Sequence, residues 1–256
     1  MRTFNLEDLQ HIFHKSSLTI YLLLKNRYKH KRGPKFRLSL IEQIVLTLFK
    51  LKYNLPDRIM ECLFNIDHVT ISRCIIRISS MISELNFKVE NSSLYIVDTT
   101  TIRIGKGKSM HTYSGYKHHH GLKYQCIVNE HNDIVSITSG IESSIHDKKI
   151  FENEYTSVFK KLDQTLSILG DKAYVGLSKY KVKVPLRKNE RAFKTDKPTA
   201  KINNRVLSTK RIQVEHVFAC LKTYRILTNV YYYTKSKLDI FVKAICNIYN
   251  LSKNKI

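Results

Sequence analysis

The first 90 residues carry apolar side chains at the spacing of an α-helix. Leucines and isoleucines recur there every three or four residues, which places them on one helix face. The first such stripe is Leu40, Ile44, Leu48 and Leu51. Pro56 suits the first turn of a second, short helix that we expect to end near Asn65. The pattern predicts an all-helical region over residues 1–90.

A third helix is predicted to begin after Asp67, which stands where an N-cap residue belongs. Its apolar stripe is Ile71, Ile75, Ile78, Ile82 and Leu85. Thr70, Arg73 and Arg77 share a different, polar face of this helix. A short helix, a tight turn and a second helix with basic and hydroxyl groups outward are the layout of a DNA-binding helix-turn-helix. A plain three-helix bundle produces the same stripes, and both interpretations stay open at this point.

From residue 91 the pattern becomes that of an α/β region. Apolar runs of strand length occupy residues 94–97, 122–128, 134–138, 166–169 and 182–184, and a helical stretch occupies residues 147–162. Residues 187–210 are polar and basic, which predicts a long loop, and residues 210–252 are helical again. We expect an α/β protein with a small all-α helix-turn-helix domain over residues 1–90 and a second domain over residues 91–256.

The chain is strongly basic. Lysine and arginine outnumber the acids by 44 to 21, for a formal net charge of +23. Such an excess favours polyanionic partners, and nucleic acid leads because binding releases counterions from its phosphates. A basic protein without such a partner is the alternative. We expect no membrane span, because no run of about 18 apolar residues exists, and no nucleotide cofactor, because P-loop and dinucleotide-binding motifs are absent.

Two apolar runs end in an aspartate, Asp98 and Asp171. An unpaired buried carboxylate is costly, and strand ends in α/β sheets are where sites assemble. The alternative is that each aspartate caps a following turn. A third acid, Glu215, lies in the last helical region, where Arg211 and Lys222 fall near it on the helical wheel. An ordinary surface ion pair would look the same.

Three carboxylates that meet from two strand ends and a helix can hold hard divalent cations. Two such ions about 4 Å apart activate a nucleophile and stabilise the leaving oxygen of a phosphodiester. Mg²⁺, or Mn²⁺ in its place, suits such a site because a few carboxylates are enough and the other positions remain for water and phosphate. Arg211 and Lys222 would bind phosphates beside it.

The segments around these acids resemble those of DDE transposases. The three are residues 95–100 (YIVDTT), 169–174 (LGDKAY) and 210–218 (KRIQVEHVF). The resemblance is to the bacterial insertion-sequence and Harbinger-like branch, often described as DDE superfamily endonucleases. Residues 113–123 (YSGYKHHHGLK), which include Lys117, and 143–151 (SSIHDKKIF) match two further elements of that branch. Arg211, Glu215 and Lys222 match the R-x3-E-x6-K part of a related signature, in which Ser208 replaces the expected tyrosine.

The resemblance implies an RNase H-like fold with Asp98, Asp171 and Glu215 as the catalytic acids that hold two divalent metal ions. It also implies cleavage of double-stranded DNA at the ends of a mobile element and attack of a 3′-hydroxyl on target DNA. Thr70, Arg73, Arg77 and Lys117 would then be DNA contacts. A homodimer or larger assembly on DNA is expected, in the bacterial cytoplasm with the nucleoid or in a eukaryotic nucleus.

Two other groups compete for a role. The run His118-His119-His120 suggests a metal site, but consecutive strand residues alternate faces, so a DNA-facing or core role is preferred. Asp147 competes with Asp171 as the second acid, although it precedes a predicted helix and N-capping is the simpler interpretation. His146 beside it is a candidate accessory residue.

Three functional hypotheses follow. The first is an active transposase. The second is a transposase-derived DNA-binding protein that has no activity, and the third is an RNase H-like nuclease that does not join DNA. The presence of all three acids argues against the second.

Overall fold

The protein comprises two compact units in a computed structural model. The model describes residues 16–28, 36–85, 89–90, 92–105, 110–159, 167–232 and 234–253, without the side chains of residues 16–17, 110 and 155–159. The helical unit contains residues 1–87 and 221–256, and the sheet unit contains residues 88–220. No helix within the described ranges is long and apolar enough to cross a bilayer.

The helical unit is built from α-helices at both ends of the chain. They are α1 (Ser16–Arg27), α2 (Leu40–Tyr53), α3 (Asp57–Phe64), α4 (His68–Ser83), α8 (Arg225–Thr228) and α9 (Lys235–Lys253). Ser39 and Glu42 form a capping box that starts α2. Helix α3 ends at Asn65, which is left-handed at φ 50°, and Asp67 caps α4 by accepting from the N–H of Thr70 at 2.9 Å. The predicted end near Asn65 and the predicted cap at Asp67 are confirmed.

The C-terminal helix belongs to the helical unit. Helix α9 packs mainly against α4, and the Nδ2 of Asn247 donates to the carbonyls of Ile82 at 2.9 Å and Leu85 at 3.0 Å. These bonds satisfy carbonyls that the end of α4 leaves open. The compact helical unit therefore includes residues 221–256 as well as residues 1–87.

The sheet unit contains a mixed sheet. Its strands are β1 (Leu94–Arg103), β2 (Tyr113–Ser114), β3 (His119–Asn129), β4 (Ile134–Ile137), β5 (Ile141–Glu142), β6 (Ser167–Leu169) and β7 (Val182–Lys183). The main order is β2-β3-β1-β6-β7, with β4 and β5 also paired to β3. Strands β1 and β3 are antiparallel, whereas β1, β6 and β7 are parallel. With α5 (Asp147–Phe159), α6 (Arg191–Thr195) and α7 (Lys197–Lys222), this is an α/β architecture consistent with an RNase H-like fold.

Strand β1 is longer than the apolar run that predicts it. We expected a strand that ends at Asp98, but pairing with β3 continues to Arg103, so Asp98 lies in the middle of the strand. The residues that follow it, Thr99 to Thr101, are β-branched and suit a pleated strand. The expectation was wrong because a single charge does not end a strand whose backbone stays paired on its neighbour.

One face of the sheet packs against α5. Its core cluster is formed by Tyr95, Val97, Ile127, Phe151, Ile168, Tyr174, Leu177 and Val182. Strand residues alternate faces, so Ile96 and Asp98 project from the opposite side to Tyr95 and Val97. The position of Asp98 is therefore set by the same alternation that buries its neighbours.

The predicted loop over residues 187–210 is wrong. Helix α6 occupies part of it, and α7 begins at Lys197 rather than near residue 210. Asp196 accepts from the N–H of Thr199 at 3.2 Å, and Pro198 lies in the first turn, where its missing N–H costs nothing. The first half of α7 lacks an apolar stripe because most of its side chains are exposed, which is why the pattern resembled a loop.

Candidate active site

Asp98 lies on β1, and Asp171 lies just beyond the end of the neighbouring parallel strand β6. Ile96 of β1 pairs with Leu169 of β6, which is the last pair of that ladder. Each aspartate follows its member of this pair by two residues. Since the two strands run in the same direction, the two aspartates come close enough that the charge of Asp171 raises the pKa of Asp98.

Asp98 is a mostly buried carboxylate. Its side chain is 21% exposed, and Oδ1 accepts from the N–H of Thr99 at 2.7 Å. Burial raises the pKa of Asp98 from 3.8 to about 6. The Thr99 N–H and the Arg211 guanidinium lower this pKa, whereas the carboxylates of Asp171 and Asp147 raise it further. A cation bound here would offset both the cost of burying the Asp98 carboxylate and its repulsion by the neighbouring acids.

Asp171 has a capping role. Its Oδ1 accepts from the N–H of Ala173 at 2.8 Å and so caps the short 3-10 turn Lys172–Tyr174. The turn-capping alternative is therefore realised by one of its two oxygens. Gly170 before it has no room for a side chain, because a Cβ there would lie 2.9 Å from the Tyr174 ring. The turn that presents Asp171 is thus packed directly on Tyr174.

Tyr174 connects this turn to the centre of the sheet. Its hydroxyl is hydrogen-bonded to the Oγ1 of Thr99 at 3.0 Å and accepts from the Nε2 of Gln125 at 3.1 Å. Its ring meets Phe151 edge-on, with centroids 6.1 Å apart. Burial raises the pKa of Tyr174 far above its usual value, so the hydroxyl stays protonated. The residue after Asp98 and the turn after Asp171 are therefore held by one buried hydroxyl group.

Helix α7 contributes the cation next to Asp98. The Nη2 of Arg211 lies 3.9 Å from the Oδ2 of Asp98, and both side chains are largely buried. Glu215 is exposed and lies one helical turn further along, on the same side as Arg211. Lys222 is the exposed last residue of this helix. The structure thus places Arg211 at the aspartate pair, with Glu215 on the adjoining turn.

Asp147 is engaged by a lysine. It is the first residue of α5, and its Oδ1 lies 2.9 Å from the Nζ of Lys123. The N-capping interpretation of Asp147 is wrong, because the side chain that caps this helix is His146, whose Nδ1 accepts from the N–H of Lys148 at 3.2 Å. The Lys123–Asp147 pair joins the two flanking segments that drew attention in the sequence, 113–123 and 143–151. This pairing favours Asp171 over Asp147 as the second acid.

A divalent cation fits the chemistry of the Asp98 and Asp171 carboxylates. Mg²⁺ binds hard oxygen ligands and is commonly held by one or two carboxylates. Asp98 and Asp171 supply such oxygens, and their repulsion in a buried setting favours a bound cation. Among the residues that the structure describes, no group of three or more His, Cys, Asp or Glu side chains is placed to hold a metal ion together. Glu215 as a third ligand therefore stays a prediction.

The histidine run does not form a metal site among the described residues. His118 is left-handed at φ 53° in the turn before β3, and His119 and His120 begin that strand. Lys117 of the same segment donates from its Nζ to the Oγ1 of Thr101 at 2.9 Å.

The predicted DNA contacts of α4 have different surroundings. Arg73 is exposed. The Oγ1 of Thr70 donates to Asp67 at 2.6 Å, so this hydroxyl supports the helix start. Arg77 lies with its guanidinium 3.6 Å from the centre of the Phe36 ring, a cation–π contact inside the helical unit. Arg73 is therefore the basic side chain of this face that projects outward.

Sequence reasoning missed Tyr174, Gln125 and Lys123. Tyr174 is the last residue of the Gly-Asp-Lys-Ala-Tyr segment. Its position three residues after Asp171 is the feature of the sequence that could have indicated its role. Gln125 and Lys123 lie two residues apart on β3 and so share one face of the strand, the face that meets α5. A pattern of residue types does not reveal such partners, because the pairing of β1 with β3 creates them.

Two aspartates thus lie beside a helix that carries an arginine and a glutamate. The family model of DDE superfamily endonucleases matches residues 97–250, more than half of the chain, and the chain belongs to this family. It is also similar to a protein described as a probable transposase for insertion sequence element IS702 in Microchaete diplosiphon. The identity is 29% over 161 residues, which are 62% of this chain and 56% of that protein. The match thus spans little more than half the length of that relative.

Proposed function

We propose that the chain is a metal-dependent DNA transposase that cleaves DNA at the ends of a mobile element and joins them to target DNA. The observation that carries this proposal is the parallel pairing of β1 and β6, because Asp98 and Asp171 each follow the last residue pair of that ladder by two residues in a chain of the DDE superfamily endonucleases. The net charge of +23 supports a polyanionic substrate. The similarity to a probable insertion-sequence transposase favours double-stranded DNA as that substrate.

Each acid has a distinct part in the proposed reaction. Asp98 and Asp171 would hold Mg²⁺ or Mn²⁺, and Glu215 would complete the ligand set from α7. When bound, the metal ions supply activation of the attacking oxygen and charge neutralisation at the leaving oxygen. The buried hydroxyl of Tyr174 holds the strand of Asp98 and the turn of Asp171 in place.

Arg211 would bind the phosphate of the scissile strand. In the structure its guanidinium lies beside Asp98 and lowers the pKa of that carboxyl. Its Nε is buried with no hydrogen-bond partner among the described residues. A phosphate oxygen is the acceptor that a guanidinium fork matches best. Lys222 and Lys117 are further phosphate contacts in this proposal.

The helical unit would recognise the element ends. Helices α3 and α4 are joined by the short turn of residues 65–67, as in a helix-turn-helix, and Arg73 projects from the second helix. Arg77 would support the helix through Phe36 rather than contact bases. Because two ends must be held for joining, we propose a dimer or larger assembly on DNA, in the nucleoid or the nucleus of the host.

Nicking of a supercoiled plasmid tests the proposed cleavage. The full chain with Mg²⁺ or Mn²⁺ is expected to nick, whereas Asp98→Asn, Asp171→Asn and Glu215→Gln are expected to bind DNA but not cut. Glu190→Gln is the matched control, since it removes a carboxylate of the sheet unit that lies outside the proposed ligand set. Equal nicking by wild type and Asp98→Asn would leave only a DNA-binding protein.

A strand-transfer assay separates the transposase from a nuclease. Pre-cleaved element ends with free 3′-hydroxyl groups are mixed with a target plasmid and Mg²⁺. Joined products are expected from the wild type and not from Glu215→Gln. Cleavage without any joined product would identify an RNase H-like nuclease that does not join DNA.

A further inference from the structure

The first half of helix α7 contacts the rest of the sheet unit along one edge. Ala200 is buried, and Asn204 is bonded to the backbone of Leu186, accepting from its N–H at 2.8 Å and donating to its carbonyl at 2.9 Å. These residues recur at intervals of about one turn and continue into Arg211, so they form the anchored edge. The rest of this half is mostly exposed.

A stripe of cations lies on the exposed side of this half-helix. We call Lys197, Lys201 and Arg205 the basic stripe; all three are exposed and repeat every four residues. Consecutive members are about 6 Å apart along the axis. No ion pair involves them in the part of the chain that the structure describes. The nearby acid, Asp196, is used as the helix cap.

The basic stripe points along the helix toward the candidate active site. At about 100° per residue, Glu215 returns to the angular position of Lys197, and Lys201 and Arg205 lie within about 80° of it. With about 1.5 Å of rise per residue, the stripe begins roughly 15 Å from Glu215 and extends to roughly 27 Å. The cations thus follow a gradually turning path away from Glu215 on the same helix.

We propose that the basic stripe binds the phosphate backbone of the DNA duplex that leads away from the cleavage site. This inference rests on the proposed function for the identity of the polyanion. Regularly spaced cations with no carboxylate partner match a regularly spaced row of phosphates. At about 3.4 Å per base pair, the stripe would contact the duplex about 4 to 8 base pairs from the cut.

A second copy of the chain is the competing occupant. Ile202 and Val206 are 63% and 50% exposed, and they lie next to the stripe on the helix surface. These two apolar side chains form only a small patch, and the cations beside it would repel a second copy of this basic chain. The charge therefore favours DNA as the partner. Self-association through this helix is an outcome that the experiment must separate.

The test is the salt dependence of DNA binding by the full chain without divalent ions. The variant Lys197→Gln/Lys201→Gln/Arg205→Gln keeps residues that favour helices. Its slope of log K against log salt is expected to be shallower by about 2.7, since each lost phosphate contact removes about 0.9. Between 50 and 200 mM salt the wild type should therefore lose about 40-fold more affinity than the variant.

The control Lys149→Gln/Lys179→Gln/Lys183→Gln removes the same charge from scattered exposed positions of the sheet unit. Its slope is expected to stay close to that of the wild type. Equal slopes for the wild type and the stripe variant would overturn the proposal. A decrease in slope for the control as large as that for the stripe variant would overturn it too. A change in sedimentation of the stripe variant with an unchanged slope would assign the helix to contacts between copies instead.

Duplexes trimmed from either side of the cut locate the contact. With fewer than about four base pairs on the contacted side, the wild type and the stripe variant should bind equally. Failure of the stripe and failure of the proposed function remain distinct. If the wild type cleaves DNA but the stripe variant keeps the wild-type salt slope, only the proposal for the stripe is rejected. If the stripe variant has a shallower salt slope but the wild type never cleaves, only the proposed enzymatic activity is rejected.

Discussion

Ile96 of β1 pairs with Leu169 of β6 in parallel register, and each is followed two residues later by an aspartate. The proximity of Asp98 and Asp171 thus follows from the pairing of the two strands just before them, which is held by buried side chains on both strands. Charge repulsion between the two acids is the cost of this arrangement, and a divalent cation is the natural compensation.

Binding of Mg²⁺ should stabilise the metal-free protein through this pair. At 100 times the dissociation constant, a ligand of the folded state contributes about 2.7 kcal/mol. We expect a higher unfolding temperature for the wild type with added Mg²⁺ at pH 7 and little change for Asp98→Asn or Asp171→Asn. The measurement is thermal unfolding with chelator or Mg²⁺, with Glu190→Gln as the control. An equal rise in Asp98→Asn would place the metal elsewhere.

The stability of the metal-free protein should fall as the pH rises from about 4 to about 6. Burial raises the pKa of Asp98 from 3.8 to about 6 in the folded state. Below pH 3.8 the carboxyl is protonated in both states and its contribution is fully present; it is lost as the pH rises through the folded-state pKa. The size of this contribution is about 3 kcal/mol.

Asp98→Asn isolates that contribution, because the amide cannot ionise. We expect the difference in unfolding free energy between variant and wild type to grow in favour of the variant between pH 4 and 7. Urea unfolding in the presence of chelator measures it. A difference that does not vary with pH would show that Asp98 titrates normally.

Tyr174→Phe should weaken the site while leaving the fold in place. The change removes the hydroxyl that meets Thr99 and Gln125, so one buried hydrogen bond of the Gln125 amide is lost, whereas its bond to the Asp147 carbonyl remains; a lost buried hydrogen bond costs about 1 kcal/mol. If this hydroxyl positions Asp171, the apparent affinity for Mg²⁺ should fall together with the nicking rate. Tyr180→Phe is the matched control, since Tyr180 packs on Phe151 in the same cluster. An unchanged Mg²⁺ affinity in Tyr174→Phe would limit the residue to stability.

The sequence predicted the elements that carry their own periodicity. The apolar stripe after Asp67 and the runs before Asp98 and Asp171 each predicted an element that the structure contains. The first half of α7 was missed because it is exposed on most sides and shows no stripe, although Asp196 and Pro198 announced its start. Local signals of capping were present there, and the apolar pattern was given too much weight.

Long-range partners were not predictable in this way. Asn247 bonds to the end of α4 across more than 160 residues, and Tyr174 reaches Gln125 across 49. Nothing local to either segment marks such contacts, because they arise from the pairing and packing of whole elements. The same holds for the distance between Glu215 and the two aspartates, which depends on how α7 lies on the sheet.

Arg73 and Arg77 should behave differently although they lie on one helix. Arg73→Ala removes an exposed cation. We expect it to weaken binding to terminal repeats more than binding to random DNA, with unchanged stability. Arg77→Ala removes a guanidinium stacked on Phe36, so a lower unfolding temperature is expected. Binding titrations and thermal unfolding of both variants check this. Equal weakening on both DNAs by Arg73→Ala would make this residue a phosphate contact only.

Arg211→Gln should change metal binding and DNA cleavage in opposite directions. The guanidinium lies 3.9 Å from Asp98 and competes with any cation held there. Its removal should raise the affinity for Mg²⁺ in the absence of DNA by about three- to tenfold, because a nearby positive charge is lost. Nicking should nevertheless fall, since the proposed phosphate contact is lost as well. Mg²⁺ titration by calorimetry and plasmid nicking give the two readouts. Arg191→Gln is the control, as it removes an exposed arginine of the sheet unit at the start of α6, outside the aspartate contact and the basic stripe. A parallel loss of metal affinity and cleavage in Arg211→Gln would mean that the arginine only holds Asp98 in place.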